Sequence, residues 1–172
     1  CDTKDKGIDF ESLPIAYQYG DKIFIPDVGF DDNTDYGILD KKTADILIRH
    51  NPHKIRFESN NAGNRVAYNV QKLIDGKCRA EIEPRITLAN KETKILVNSD
   101  YISKHFYFLH PSQYKPKSDY GLFMSNVTTY TTKAKVPHDD GIDSLAMMAE
   151  LVQNPLGGKA QAVQNPFWGR RH

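Results

Sequence analysis

Acidic residues at the ends of predicted strands and at the start of a predicted helix could hold cations together. Asp140 and Asp143 are three residues apart in the first turn of a helix predicted from 139 to 152, so both side chains lie on one helix face, with Cβ atoms about 5–6 Å apart. Glu58 ends a predicted strand, and Asp2 lies where a preceding strand should end. In α/β folds these positions converge at one edge of the sheet.

Carboxylates that converge repel one another unless they are protonated or bind hard cations. Mg²⁺ and Mn²⁺ prefer oxygen ligands of this kind. Two such ions about 3.5–4 Å apart form a site that hydrolyses phosphodiesters. We therefore predict that Asp2, Glu58, Asp140 and Asp143 bind two Mg²⁺ or Mn²⁺ ions, with Asp2, Glu58 and Asp140 as the catalytic set.

Each acid also has an ordinary structural interpretation. For Asp139 we favour a helix cap over metal binding, because aspartate is a preferred N-cap residue. Asp143 could complement the helix dipole, Glu58 could be a solvated strand end, and Asp2 a solvated residue near the start of the chain. The order and spacing of the acids together favour the metal site over these separate roles.

The elements that must position these acids alternate between strands and helices. A hairpin is predicted over 13–30, with Gly20-Asp21 as its turn and Pro26 indicating an edge strand. Further strands are predicted over 53–59, 78–84 and 105–109, and helices over 33–51, 62–76, 90–104, 118–133 and 139–152.

This order predicts an α/β domain with a mixed central sheet, an antiparallel hairpin plus parallel strands, flanked by helices. We expect a strand before the hairpin to fill the middle of that sheet, with Cys1 and Asp2 as its last residues, so the sequence looks like part of a longer protein. Residues 1–153 are predicted to form this domain, and 154–172, rich in Gly, Pro and Gln, a flexible tail.

Composition limits the classes of function. The 172 residues are 39% hydrophobic and 26% charged, which suits one globular domain with a full core. Cys1 and Cys78 are too few for a disulfide framework or a zinc site, and no apolar run approaches the ~18 residues of a membrane helix.

The net charge of +1 means that any DNA contacts must come from local groups rather than from a basic surface. The candidates flank the predicted acids: Lys4, Lys6, Asn61, Arg65, Lys133 and Lys135. Lys91 and Lys94, on one turn of a predicted helix, are further possibilities. For any single lysine the alternative of a solvated surface residue is favoured.

Four segments in this order resemble the C-terminal nuclease domain of phage large terminases. They are "CDTKDKGIDF", "FIPDVGFDD", "FESNNAGNRVA" and "HDDGIDSLAMMAEL", and the resemblance runs from Asp2 to about Val152. It implies an RNase H-like fold. It also implies that Asp2, Glu58 and Asp140 are the catalytic acids, with Asp143 a further metal ligand.

The resemblance further implies a Mg²⁺- or Mn²⁺-dependent endonuclease that cuts concatemers of double-stranded DNA during phage genome packaging in the cytoplasm of a bacterial host. The implied partners are double-stranded DNA, an ATPase motor domain of the same parent protein, the portal and the small terminase subunit, with no membrane.

Two departures from the family stand out. No first strand precedes Cys1, and no nucleotide-binding loop is present, because Gly76-Lys77 and Gly158-Lys159 lack the upstream glycine and the following hydroxyl residue. Three alternatives stay open. They are a nuclease like the Holliday-junction resolvases, a non-catalytic module that docks DNA or the portal, and a structural α/β domain whose acids are helix caps.

Overall fold

The computed structural model describes residues 11–58, 63–85, 90–131 and 139–154. Within them the chain forms five strands, five α-helices and one short 3₁₀ helix. The strands are β1 (Glu11–Tyr19), β2 (Lys22–Asp31), β3 (Lys54–Glu58), β4 (Glu81–Arg85) and β5 (Phe106–Phe108). The α-helices are α1 (Tyr36–His50), α2 (Gly63–Ile74), α3 (Lys91–His105), α4 (Asp119–Thr129) and α5 (Asp140–Gln153), with the 3₁₀ helix at Pro111–Gln113.

The predicted hairpin is confirmed. β1 and β2 pair antiparallel through the turn at Gly20-Asp21, where Gly20 has a left-handed φ of 61° that favours glycine. β5 adds to β2 in parallel, from Ile23 opposite Phe106 to Ile25 opposite Phe108. The result is a three-stranded mixed sheet in the order β1-β2-β5.

Pro26 does not mark an edge strand, so that prediction is wrong. β2 is the central strand of its sheet. Pro26 lies where the register with β1 shifts between Ile15 and Tyr17, and one residue beyond the last pair with β5. Its missing N–H therefore falls at an irregularity of the ladder, where a proline is tolerated.

β3 and β4 form a separate parallel pair, from Lys54 opposite Glu81 to Glu58 opposite Arg85. The α/β composition and the mixture of antiparallel and parallel pairing agree with the prediction. Within the described ranges, however, the strands form two sheets rather than one. The strand that we expected to lie between them, ending at Cys1 and Asp2, falls outside the described residues.

Helices cover the two sheets on both sides. On one side α3, α4 and α5 pack on the hairpin sheet, and the core there contains Ile23, Ile25, Phe123 and Leu145, all at most 1% exposed. On the other side α1 and α2 pack on β1, β3 and β4 around a core of buried residues: Ile15, Ala44, Ile46, Leu47, Ile55, Val70, Ile74 and Ala80.

Local signals for the helix ends are largely confirmed. The Asn90 side chain accepts from the N–H of Glu92 at the start of α3, and Ser118 accepts from Gly121 at the start of α4. Gly76 follows α2 with a φ of 67°, as predicted for its C-terminal turn. None of the described helices combines the length and apolarity needed to span a bilayer.

Candidate active site

A cavity of about 810 Å³ lies between the two sheets. One wall is β1 and the other is β3, each of which has its own sheet partner on the far side. The face of α5 that carries Ser144, Met147 and Leu151 contributes a third side. Ser12 on β1 and Ser144 on α5 hydrogen-bond through their hydroxyls at 2.8 Å, which ties the helix to the first sheet.

The three predicted acids within the described residues all line this cavity. Glu58 stands at the C-terminal end of β3, and Asp140 and Asp143 belong to the first turn of α5. Glu58 is close enough to Asp143 for its negative charge to raise the pKa of that carboxyl. The structure therefore brings Glu58, Asp140 and Asp143 to the lining of one cavity.

A side chain from α4 holds the first turn of α5. The Asn126 Oδ1 accepts from the backbone N–H of Gly141 at 3.0 Å, as an N-cap side chain would. Asp139 occupies the N-cap position, but its side chain makes no capping hydrogen bond. The predicted capping role of the Asp139 carboxylate is wrong, because that carboxylate accepts from Lys91 instead.

Two lysines of α3 face the aspartates. Lys91 Nζ hydrogen-bonds Asp139 and lies 3.4 Å from Asp140 and 4.0 Å from Asp143. Lys94 Nζ lies 2.6 Å from Asp143 Oδ1, and its side chain is only 2% exposed. We call Asp139, Asp140, Asp143, Lys91 and Lys94 the α5 cluster.

Burial acts on the pKa of both Asp143 and Lys91, with different outcomes. It raises the pKa of Asp143, and the ion pair with Lys94 and the charge of Lys91 do not fully offset it. Burial acts to lower the pKa of Lys91, but the hydrogen bond to Asp139 and the charges of the neighbouring aspartates outweigh it, so that pKa is raised. Proton uptake at Asp143 is therefore easier than at an exposed aspartate.

The buried carboxylate of Asp143 has the chemistry of a cation ligand. Asp143 is 8% exposed, and its Oδ1, although 2.6 Å from Lys94 Nζ, has no well-aligned hydrogen-bond donor within the described chain. A carboxylate oxygen with spare acceptor capacity, beside two further acids, is the donor type that Mg²⁺ and Mn²⁺ prefer. In this respect the chemistry of the residues fits a hard cation.

The described residues do not form a complete metal site as they stand. No group of three His, Cys, Asp or Glu side chains within them is close enough to hold an ion. A complete site would need a closer approach of Glu58 and Asp140, or a ligand from elsewhere in the chain. The predicted ligand Asp2 lies outside the described residues, and so do the predicted DNA contacts Lys4, Lys6, Asn61, Lys133 and Lys135.

Arg65, the remaining predicted DNA contact, lies on α2. Its guanidinium pairs with the buried Asp40 at 3.2 Å and stacks over the ring of Tyr36, 4.2 Å from the centroid. Arg65 does not line the cavity, although Val66 beside it does. Its described contacts are thus with α1 rather than with the acids.

Sequence reasoning missed Glu11 at this site, and it named Lys94 only as a possible DNA contact. Glu11, at the start of β1, lines the same cavity, accepts from the Thr43 hydroxyl at 2.6 Å and has a pKa raised by burial. Nothing in its sequence context separates it from a solvated strand end. Lys94 was expected at the surface, but its spacing of four from Asn98 and eight from Ile102 places it on the buried stripe of α3.

Comparison of the chain with protein-family models gave no match, and comparison with curated protein sequences gave no significant match.

Proposed function

We propose that the protein is a Mg²⁺- or Mn²⁺-dependent DNA endonuclease with an RNase H-like fold, which acts on concatemeric double-stranded DNA in phage genome packaging. The observation that carries this proposal is the convergence of Glu58 with Asp140 and Asp143 at one cavity. The resemblance of four sequence segments to terminase nuclease domains narrows the reaction to phosphodiester hydrolysis and supplies the biological setting.

In this proposal Glu58, Asp140 and Asp143 hold the cations, together with Asp2. Two bound ions would supply the Lewis-acid activation that phosphodiester hydrolysis requires. The Asn126 cap and the burial of Leu145 and Ala146, both 0% exposed, fix the first turn of α5 against the rest of the fold. Such fixation matters because ligand positions must be held within a fraction of an ångström.

The lysines have a second role in the proposal. Lys91 and Lys94 partly neutralise the aspartates when no cation is present, which reduces the repulsion that the fold must tolerate. Lys91 is 39% exposed at its side chain and can turn toward a phosphate when an ion takes its place.

A non-catalytic DNA-docking module is the second candidate. The observation that favours it is the occupation of the aspartates by Lys91 and Lys94 within a described region that has no complete metal-binding group. In that case the α5 cluster is a structural ion-pair network, and divalent cations have no specific effect on the protein.

Nicking of supercoiled plasmid in millimolar Mn²⁺ or Mg²⁺ separates the two candidates. We expect Asp140→Asn and Glu58→Gln to reduce nicking by more than about 100-fold, because loss of even an outer-shell partner of a metal ligand costs about 10- to 100-fold. Asp2→Asn is expected to behave in the same way. Asp31→Asn is the matched control, since Asp31 is also paired with a lysine but does not line the cavity.

Thermal unfolding supplies an independent measurement. Mn²⁺ should raise the melting temperature of the wild-type protein and of Asp31→Asn, but not that of Asp140→Asn. If Mn²⁺ has no effect on either property of the wild-type protein, and Asp140→Asn changes neither, the nuclease proposal fails and the docking module is favoured.

A further inference from the structure

An exposed row of aromatic side chains crosses the hairpin sheet. Tyr17 on β1 is opposite Phe24 on β2, and Phe24 is opposite Tyr107 on β5. Direct partners in adjacent strands point to the same face of a sheet. The three side chains are 51%, 41% and 43% exposed, and Tyr19, on the same face, is 82% exposed. We call these four residues the aromatic face.

Three of the side chains have defined neighbours. Phe24 and Tyr107 stack with centroids 5.3 Å apart and an angle of 27° between their planes. Tyr17 is held at the other end, where its hydroxyl hydrogen-bonds His50 Nδ1 at 3.1 Å. The side chains are thus oriented before any ligand arrives, which lowers the entropy cost of binding.

The face is open because α1 ends at its border, beside Tyr17. α1 covers β1 at Leu13 and Ile15, and its last residue, His50, contacts Tyr17. The opposite face of β2 is covered, since Ile23 and Ile25 are 0% and 1% exposed. On β2 the exposure is therefore specific to one side.

A positive charge sits at the edge of the row. Lys22 Nζ lies over the Tyr107 ring, 5.7 Å from its centroid, and no carboxylate of the described residues forms an ion pair with it. Lys22 is opposite Tyr19 in the hairpin, so its ammonium belongs to the same face. Aromatic rings combined with a cation favour ligands that carry flat π-systems and negative charge.

We propose that the aromatic face binds single-stranded nucleic acid by stacking two or three successive bases on Tyr17, Phe24 and Tyr107, with Lys22 near a phosphate. Aromatic side chains on an open sheet face bind unpaired bases in this way, with little sequence preference. Duplex DNA cannot use the face, because its bases are already stacked within the helix. The proposal does not depend on a bound cation: Tyr17 lines the cavity, but Phe24, Tyr107 and Lys22 do not.

The size of the face favours nucleic acid over a protein partner. A stable protein interface needs about 20–30 residues on each side. The aromatic face has four exposed rings and one lysine, which matches the footprint of two or three bases. A short proline-rich peptide is the closest competing ligand, because such peptides also dock on exposed aromatic rings.

The test is fluorescence anisotropy with a labelled oligothymidylate strand and with its duplex, in EDTA. Removing divalent cations prevents cleavage, so the result is separate from that of the nuclease assay. We expect the wild-type protein to prefer the single strand. The triple variant Tyr17→Leu, Phe24→Leu, Tyr107→Leu should lose affinity by roughly tenfold or more, because each stacked base contributes substantially to binding. Leucine keeps apolar volume at these positions, and circular dichroism checks that the variant is folded.

Tyr68→Leu is the matched control. Tyr68 is 61% exposed on α2 and has Lys72 Nζ 4.3 Å from its ring centroid, so it is an isolated pair of the same chemistry. This variant should bind the strand within about twofold of wild type. Lys22→Ala should make the slope of log affinity against log salt concentration shallower by at most about 0.7, the value for one phosphate contact on a single strand. The proposal is overturned if the wild-type protein does not bind the strand, or if the triple variant binds it equally well. It is also overturned if the triple variant loses affinity for the single strand and for the duplex equally. Binding of a proline-rich peptide to the face, without binding of the strand, would overturn it as well.

Discussion

Two groups of aspartates in this protein are paired with lysine, yet the pKa of one aspartate is raised in the first group and lowered in the second. In the α5 cluster, burial raises the pKa of Asp143. In the other group, which we call the β2 cluster, Lys42 pairs with Asp31 and Asp119, and the hydrogen bond from Lys42 lowers the pKa of Asp31. The same residue types therefore favour the neutral carboxyl at Asp143 and the charged carboxylate at Asp31.

The difference comes from the surroundings of each carboxylate. Asp31 also accepts from the backbone N–H of Asn33, Asp119 accepts from that of Phe30, and all three side chains of the β2 cluster are 26–35% exposed. Asp143 is more deeply buried and keeps an oxygen without an aligned donor. In the β2 cluster each aspartate thus has a backbone donor as well as Lys42, whereas the buried Asp143 depends on Lys94.

Loss of the buried lysine should have the largest effect on stability. Lys94→Met leaves Asp143 as a buried charge without its closest partner, which we expect to cost about 3–5 kcal/mol of unfolding free energy. Lys42→Met removes an exposed bridge and should cost no more than about 1 kcal/mol. Urea denaturation of the two variants measures both values, and Asp143→Leu added to Lys94→Met should recover most of the loss. Equal costs for the two lysines would contradict the distinction between the clusters.

The cap of α5 should have an intermediate effect. Asn126→Ala removes the acceptor for Gly141 and is expected to cost about 1 kcal/mol. Asp35→Ala removes a similar cap from α1, where Asp35 accepts from Gly37 at 2.8 Å, and should cost about the same. Only Asn126→Ala should also weaken the Mn²⁺-dependent rise in melting temperature, because only that cap positions Asp140. If both variants reduce the Mn²⁺ effect equally, the link between the cap and the cation fails.

The pH dependence of stability should show the smallest effect, with opposite signs. The folded-state pKa of Asp143 is above its ordinary value, near 3.8, so between these two values the folded protein binds more protons than the unfolded chain and stability falls as pH rises. The folded-state pKa of Asp31 is below 3.8, so its contribution rises with pH across the window below that value.

Substitution by asparagine isolates each contribution. Relative to wild type, Asp143→Asn should gain stability as pH rises above 3.8, whereas Asp31→Asn should lose stability as pH rises toward 3.8. Burial is the main cause of the raised pKa of Asp143; Lys94 and Lys91 oppose it and Glu58 adds to it. Melting temperatures between about pH 3 and about pH 7 provide the comparison, at roughly 2–4 °C per kcal/mol. Parallel curves for the two variants would refute the opposite signs.

Local patterns predicted most of the elements, because periodicity, caps and turn residues act over a few positions. The hairpin turn at Gly20 and the caps at Asn90 and Ser118 are examples. The placement of β5 beside β2 could not be predicted in this way, since pairing across about 80 residues leaves no local signal. Because of this pairing β2 is the central strand of its sheet, and the edge-strand prediction made from Pro26 is wrong.

The candidate site was predicted in part for the same reason. The spacing of Asp140 and Asp143 fixes their common face, and their approach to Glu58 followed from where strands and helices end in α/β folds. The partners of the acids were missed. Whether a lysine on α3 faces water or the first turn of α5 depends on helix packing, and general rules for lysine favour water.

The end of α1 sets how much of the hairpin sheet is available to other molecules. The helix stops at Asn51, which has a left-handed φ of 44° and whose N–H bonds back to Leu47. Thr43 meets β1 at Glu11 and His50 meets it at Tyr17, so the helix and the strand run side by side. One further helical turn, about 5 Å, would bring α1 level with Tyr19. The left-handed backbone conformation at Asn51 ends α1 at this point, and it thereby separates the buried part of this sheet face from the exposed contact surface.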